Sequence, residues 1–263
     1  MIDVERMYDC ERDFPVRFTH VVDKPYGRLF YNPDNPLSND SNHALVECLD
    51  IDLDEAVKDL ARFYEGMKLQ PRVYPAFRPG EWDILRPILT RHGFECEEYA
   101  NLYFLLGGMS AISPSPSVQV KRVRDVDPSI IDVLCSSEGS DRTVRILQRH
   151  LKWDEFHLLV GYVDSRAVTL GSFEIIHGYA RVDNVVTHPE CRNLGYCRAL
   201  MHHMVQRYPS VSSDPLYLMA NNPVAMRIYR EAGFVEFSAD RPAWGAWRNG
   251  TVNWMRGNWS ALL

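Results

Sequence analysis

The residues best able to do chemistry lie between Val182 and Leu200, in the stretch VDNVVTHPECRNLGYCRAL. An apolar run of β type ends at Thr187-His188-Pro189, and Arg192, Gly195 and Cys197 then open what the pattern predicts to be a long helix, Gly195 to Tyr208. The first N–H groups of a helix have no intrahelical partner, and they converge on one point with the positive end of the helix dipole behind them. An anion of phosphate size suits such a turn. Gly195 has no Cβ and lets the backbone approach a ligand closely, while Arg192 adds a cation just before the helix. Farther on, Asn222, Ala225, Met226 and Tyr229 fall at i, i+3, i+4 and i+7, so they share one helix face. A phenol there, with an ordinary pKa of about 10, is protonated at neutral pH and can supply a proton.

The spacing Arg192-x-x-Gly195-x-Cys197 resembles the Gln/Arg-x-x-Gly-x-Gly/Ala signature with which the GNAT superfamily of N-acetyltransferases holds the pyrophosphate of acetyl-CoA. Cys197 stands where that family usually has Gly or Ala. The segment LYLMANNPVAMRIYREAGFVEF, Leu216 to Phe237, resembles the second family signature: a strand, then Asn222-x-x-Ala225, then Tyr229, then Gly233-Phe234. The resemblance implies an α/β (α+β) GNAT fold, a mixed and mostly antiparallel twisted sheet flanked by helices. It also implies acetyl-CoA as co-substrate, an amine acceptor and no metal.

In that family the strand before the turn separates from its neighbour and pairs its backbone with the pantetheine arm. Carried over, this places the donor along Val185, Val186 and Thr187, with the pyrophosphate on the N–H groups of Arg192, Asn193, Leu194, Gly195, Tyr196 and Cys197. The helix face bearing Asn222 would point at CoA, and Tyr229 would be the general acid for the departing thiolate. The general base is expected to be Asp183, taken to lie on the same strand side as Val185 and Thr187, with Glu138 and Glu174 as rivals. A non-catalytic CoA-binding module and an acyltransferase for longer acyl groups are the alternative readings.

The elements that must position these residues follow from periodicity. Val118–Val123 predicts a strand, and helices follow at Pro128–Cys135 and about Thr143–His150, separated by the loop Ser136–Ser140. The runs FHLLVGYVD, AVTLGSFEII and YARVDNVV turn at Asp164-Ser165 and His177-Gly178 and read as a three-strand meander. In the first part, Val16–Val22, Arg28–Tyr31 and Ala44–Leu49 are expected as strands and Asp52–Gly66 as an amphipathic helix. PRVYPAF then predicts a strand, and a helix from Glu81 to His92 should be kinked or shortened by Pro87.

The order strand, helix, Gly93-Phe94, strand repeats that of Ile228 to Phe234 and its surroundings. This faint repeat makes residues 1–110 look like a degenerate GNAT-like domain. It has no Arg-x-x-Gly-x-Gly turn, and Leu89 sits in the place of Tyr229. Residues 111–117 form the linker by composition, and residues 118–263 the complete acetyl-CoA-binding domain, giving a tandem arrangement.

A chain of 263 residues, 46% hydrophobic and 24% charged, can bury one large or two modest cores. The net charge of -6 argues against a nucleic-acid partner, and the short Lys121-Arg122-Val123-Arg124 run reads as a solvated strand edge. No apolar run approaches the ~18 residues of a membrane span, and no secretory leader is evident. Six scattered cysteines without a CxxC pair suggest a reduced, cytoplasmic protein. The C-terminal tryptophans Trp244, Trp247, Trp254 and Trp259, with a hairpin expected at Arg248-Asn249-Gly250, have three docking places open to them: the N-terminal half, a second subunit in a homodimer, or the acceptor end of the cleft.

Overall fold

The computed structural model describes residues 2–107, 110–112 and 117–248. The chain divides into two compact units, one formed by Asp3–Ala100 together with the segment from Ala239, the other by Asn101–Ser238.

The N-terminal unit opens with α1 (Val4–Asp13), which Asp3 caps by accepting from Arg6 N–H. The sequence pattern had not predicted this helix, because its charged residues interrupt the apolar spacing. Pro15 then starts a tight 3-10 turn at Phe14–Arg17, so the first strand begins at His20 rather than Val16. A meander of β1 (His20–Lys24), β2 (Gly27–Tyr31) and β3 (His43–Val46) leads into α2 (Leu53–Gly66). The side chains of Ala56, Val57, Leu60, Ala61 and Tyr64 on α2 are buried, as the spacing requires. Next come β4 (Arg72–Tyr74), α3 (Glu81–Arg91) and β5 (Glu95–Leu105). Pro87 is accommodated inside α3 without ending it.

The C-terminal unit repeats this plan with an added front end. β6 (Gln119–Val123), α4 (Pro128–Glu138) and α5 (Arg142–His150) precede the meander β7 (Phe156–Val163), β8 (Arg166–Ile176) and β9 (Tyr179–Thr187). Then follow α6 (Tyr196–Arg207), β10 (Leu216–Ala220), α7 (Pro223–Glu231) and β11 (Phe234–Phe237). A last strand, β12 (Ala243–Trp247), closes the described chain. α4 extends three residues past the predicted Cys135, because its C-terminus is closed by Gly139 in a left-handed conformation.

Both sheets are antiparallel except at one pair each, β3 with β4 and β9 with β10. In the C-terminal unit the strand order is β6-β7-β8-β9-β10-β5-β11, and in the N-terminal unit β1-β2-β3-β4-β12-β5. Each sheet therefore takes in a strand from a distant part of the chain. Asn101–Phe104 of β5 pair with β10, and Leu102–Leu105 pair with β11, while β12, which follows the C-terminal unit in sequence, lies between β4 and the first part of β5. The compact units thus run across the linker expected at residues 111–117. Trp244 and Trp247 are buried in the N-terminal unit, where Trp244 Nε1 donates to Glu81 Oε1 at 3.0 Å. Trp254, Trp259 and the turn at Asn249-Gly250 lie outside the described residues.

One core of the C-terminal unit sits under α6 and α7, where Leu200, Met204, Ile228 and Tyr229 meet Phe173, Val182, Leu216 and Leu218. The other lies under α4 and α5, where Ile130, Leu134 and Leu147 meet Leu158, Leu170 and Val186.

From β5, Leu102 is 5% exposed and Phe104 is fully buried. Burying two such side chains contributes ~3–6 kcal/mol, a large part of a typical domain's ~5–15 kcal/mol. A fragment starting at residue 118 is therefore expected to be insoluble or to lack a cooperative melt by circular dichroism, whereas one starting at residue 100 should recover it. Equal melting of the two would mean that β5 is dispensable to this sheet.

Candidate active site

The site is built around a gap in the C-terminal sheet. β9 and β10 pair only at Ala180 with Leu216 and at Arg181 with Tyr217, after which β10 continues along β5 while β9 runs on to Thr187. The β10-facing edge of β9 from Val182 onward thus carries backbone groups that no strand of the sheet pairs. Within the same stretch β9 bulges: Leu170 faces Val186 but Ser172 faces Asp183, so Asn184 and Val185 stand opposite Gly171 alone. Asn184 takes a left-handed φ of 54°, and its amide donates to Ser172 Oγ at 3.1 Å. Such a bulge re-aims the side chains that follow it.

That re-aiming corrects the expectation for Asp183. Val182 and Val185 both pack on the α6 side and Val186 on the α4 side. Asp183, one residue after Val182, therefore faces the α4 side and not the side of Val185. Its carboxylate pairs with Arg181 Nη1 at 3.0 Å and is about one-third exposed. Glu138, at the end of α4, is close enough for Asp183 to act on its carboxyl. Burial is the main reason that the Glu138 carboxyl is raised above the usual range, although it accepts from Thr143 Oγ1 at 2.8 Å and from Arg142 Nε at 3.1 Å. Glu174, the other rival, is 1% exposed and pairs with the fully buried His150 at 3.0 Å. A carboxylate so enclosed is out of reach of an incoming amine.

At the end of β9 the chain turns into α6. The Thr187 carbonyl accepts from Ser137 Oγ at 3.2 Å and from Arg192 Nε at 3.4 Å, so α4 and the turn hold it jointly. Asn193 and Gly195 are both left-handed, at φ 61° and 82°, the kind of backbone from which anion-binding concavities are made. Gly195 occupies the N-cap position with no side-chain cap, and no acidic residue lies in the first turn of α6. A Cβ added at Gly195 would meet nothing within 4 Å, so this face of the backbone opens onto space. Arg192 Nη2 is buried without a hydrogen-bond partner, and burial lowers the guanidinium pKa with no carboxylate to offset it. An uncapped helix start beside an uncompensated cation fits a diphosphate.

The cleft in front of the turn is lined from α6 by Tyr196 and Cys197 and from α7 by Val224, Arg227 and Ile228. The contribution of Arg227 was missed from sequence, although it shares a helix with Tyr229 and lies one turn before Glu231, which it faces at 3.9 Å. Asn222 is the N-cap of α7: its Oδ1 accepts from Val224 N–H at 2.9 Å and Ala225 N–H at 3.3 Å. That oxygen is thus engaged in the helix start, and the helical face expected for Asn222 begins instead at Ala225. Tyr229 is 7% exposed, edge-on to Phe234, and burial pushes its phenol far above the ordinary range, with Cys197 and Asp183 adding to the shift. The Tyr229 hydroxyl makes no hydrogen bond among the described residues.

A thiol at a helix N-terminus tends toward a low pKa, but Cys197 goes the other way. It is 7% exposed, and burial pushes its thiol up to about 12 against the lowering effects of Arg198 and Thr187. Among the described residues no cluster of three His, Cys, Asp or Glu could hold a metal, and no helix is long and apolar enough to cross a membrane.

An open strand edge, an uncapped helix after it and a buried phenol on the next helix thus lie together in the C-terminal unit. Residues 128–234 match the family model described as the acetyltransferase (GNAT) family. Among solved structures, a GCN5-related N-acetyltransferase from Kribbella flavida is similar with a TM-score of 0.69 and 15% identity, over 93% of this chain and 95% of that one. A GCN5-related N-acetyltransferase from Sphaerobacter thermophilus follows at 0.54 and 14%, over 87% of this chain and 75% of that one. A functionally unknown conserved protein from Staphylococcus epidermidis reaches 0.60 and 16%, over 88% and 94%. At these identities the likeness is one of fold. No curated protein sequence matches the chain.

The burial of Cys197 predicts how it reacts. Iodoacetamide at pH 8 should label Cys191, which is partly exposed, well before Cys197, and a Cys197→Ala protein should show the same labelling minus the slow site. Rapid modification of Cys197 would mean that its thiolate is accessible and that a covalent route is open.

Proposed function

We propose that the chain is an N-acetyltransferase that moves an acetyl group from acetyl-CoA to a primary amine by direct transfer in a ternary complex. The observation that carries this reading is the uncapped start of α6 immediately after the unpaired edge of β9. The backbone of Val185, Val186 and Thr187 offers the pantetheine arm a strand edge to pair with. Arg192 and the N–H groups of Asn193 to Cys197 hold the pyrophosphate, and Asn222 braces the α7 wall of the same cleft. The unit built on Asn101–Ser238 is the catalytic domain, and the unit built on Asp3–Ala100 with the segment from Ala239 is a degenerate GNAT-like partner. The six free cysteines accord with a reducing, cytoplasmic setting.

Within that arrangement Tyr229 supplies the proton for the departing thiolate. Its phenol is raised, so it stays protonated through the physiological range. The same burial makes a thiolate costly there, as the shift of Cys197 to about 12 illustrates, so the proton has reason to move. Asp183 accepts the proton of the attacking amine, directly or through water. Glu138 is the second candidate because its raised carboxyl and its position beside Asp183 suit it to the same task. A non-catalytic CoA module or a longer-chain acyltransferase would share the donor site, and thiol release measured with acetyl-CoA, longer acyl-CoAs and a mixed amine library separates the three.

Two outcomes test the proposal. Gly195→Glu, whose side chain would enter the open space before α6 with a carboxylate facing the helix start, should abolish acetyl-CoA binding by calorimetry while the circular dichroism stays native. Unchanged affinity would remove the basis of the reading. Tyr229→Phe should lower kcat ~10²–10⁴-fold with little change in acetyl-CoA affinity. Because the phenol is raised, wild-type activity should show no alkaline loss from this group below about pH 10. On the acid side, a base at Glu138 would place the limb of kcat/KM above the usual glutamate range, and Glu138→Gln would erase it; if Asp183→Asn erases it instead, Asp183 is the base.

A further inference from the structure

The bulge in β9 is held from the neighbouring strand, where β8 sets Thr169, Leu170, Gly171 and Ser172 against it. Among the described residues of β7, β8 and β9 with no exposed surface, Thr169 and Ser172 are the two polar side chains. A buried hydroxyl adds less by burial than an apolar group of the same shape, so the bonds it makes decide what it does there. Ser172 Oγ donates to the Asp183 carbonyl at 3.1 Å and accepts from Asn184 Nδ2 at 3.1 Å. Thr169 Oγ1 donates to the Val186 carbonyl at 3.0 Å and lies 3.0 Å from Thr187 Oγ1. Ser172 therefore grips β9 at Asp183 and Asn184, Thr169 grips it at Val186 and Thr187, and Val185 lies between.

The two grips come from opposite faces of the sheet. Leu170 packs under α4 and Phe173 under α6, and a Cβ added at Gly171 would point at Leu200 and Met204 of α6. Alternation along β8 then puts Thr169 on the α6 side with Gly171, and Ser172 on the α4 side. Gly171 leaves the room in which the bulge sits, since its Cβ would stand 3.4 Å from Val185 Cγ2 and 3.2 Å from Leu200 Cδ2. On β7, Gly161 leaves room for Thr169, whose Cγ2 lies 2.7 Å from where a Gly161 Cβ would be. With the methyl seated there, the stiff χ1 of threonine keeps the hydroxyl turned to β9. The protons can also be assigned. The Val186 carbonyl can only accept, so it takes the Thr169 proton, and Thr169 Oγ1 accepts that of Thr187. Thr187 has none left for its other neighbour, the Cys197 thiol on α6, so that thiol donates to Thr187. One directed chain, Cys197 to Thr187 to Thr169 to Val186, ties the first turn of α6 to the strand.

We propose, on the reading above that the free edge of β9 takes the pantetheine arm, that Thr169 and Ser172 are positioning residues for the donor. They touch no ligand and act through β9, by fixing the backbone of Val185–Thr187 in register for it. A strand with one free edge has lost one of its two ladders, so its place depends on the bonds made from the other side. Two buried hydroxyls in that stretch of β8, beside a glycine that admits the bulge, meet this need. Because the chain from Thr169 runs on to Cys197, it also sets the strand edge against the turn proposed for the pyrophosphate.

The test uses the full chain and CoA. Thr169→Val keeps the shape and the strand propensity and removes the hydroxyl, Ser172→Ala removes the other grip, and Thr169→Ser restores the first. By calorimetry, Thr169→Val and Ser172→Ala should each bind CoA about tenfold more weakly, and Thr169→Ser as wild type does. At saturating CoA, amide exchange in both weakened variants should show Asn193–Cys197 still protected and the protection of Val185–Thr187 lost. Hydroxyls that only stabilised the fold would lower the melting temperature and affect both segments alike. The proposal fails if Thr169→Val and Ser172→Ala bind CoA as wild type does, if Thr169→Ser behaves as Thr169→Val, or if the two segments lose protection together. Ser172→Ala, on the other flank of the bulge, carries the test if Thr169→Val does not fold. If wild type itself does not bind CoA, the donor reading falls and this role falls with it.

Discussion

The feature on which the C-terminal unit depends is the early end of the β9–β10 pairing. A parallel pair that stops after Arg181 and Tyr217 leaves the next six residues of β9 with an unpaired edge inside a sheet, a position where backbone groups ordinarily find partners. Two local features bring this about. The bulge at Asn184 twists β9 away, and β10 is held on its other side by Asn101–Phe104 of β5, so it cannot follow. An open edge of this kind invites unwanted pairing unless it is covered. In the proposed function the donor covers it during each turnover.

The N-terminal unit shows what the same plan becomes without that feature. Its β3–α2–β4–α3 order matches β9–α6–β10–α7, and both end in a left-handed glycine followed by a buried phenylalanine, Gly93-Phe94 and Gly233-Phe234. Yet β3 stops at Val46. α2 is capped by Asp52, whose carboxylate accepts from Glu55 N–H at 3.1 Å, and carries Asp54 and Glu55 in its first turn. Where α6 presents bare N–H groups, α2 presents three carboxylates that would repel a diphosphate. The fully buried Leu89 takes the place of Tyr229. One topology thus gives an anion site in one unit and a closed, self-satisfied helix start in the other.

The sequence was informative wherever the structure follows local pattern. The apolar spacing of Leu53 to Tyr64, the turns at Asp164-Ser165 and His177-Gly178, and the Arg192-to-Cys197 turn all read correctly because neighbouring residues decide them. Legibility stops where distant residues decide. No local signal says that β5 enters a sheet made mainly of later residues, or that Trp244 and Trp247 pack in the N-terminal unit, since strand partners are chosen by long-range packing. The side reached by Asp183 turned on one left-handed residue, Asn184, and strict alternation cannot foresee a bulge. Asn222 was expected on a helix face because its spacing fits; that spacing is equally that of an N-cap, the role its Oδ1 takes. For Cys197 a place at a helix start favours a low thiol pKa, and only the fold reveals the burial that outweighs it.

The central claim is that the free edge of β9 and the start of α6 together form one donor-binding surface. Amide hydrogen exchange with and without CoA tests it most directly, since it reads the backbone groups themselves. The account predicts that CoA slows exchange at Val185–Thr187 and at Asn193–Cys197 together, with no matching protection at the start of α2. Protection that leaves both of these segments unchanged, or that appears around Asp52–Glu55 instead, would contradict it.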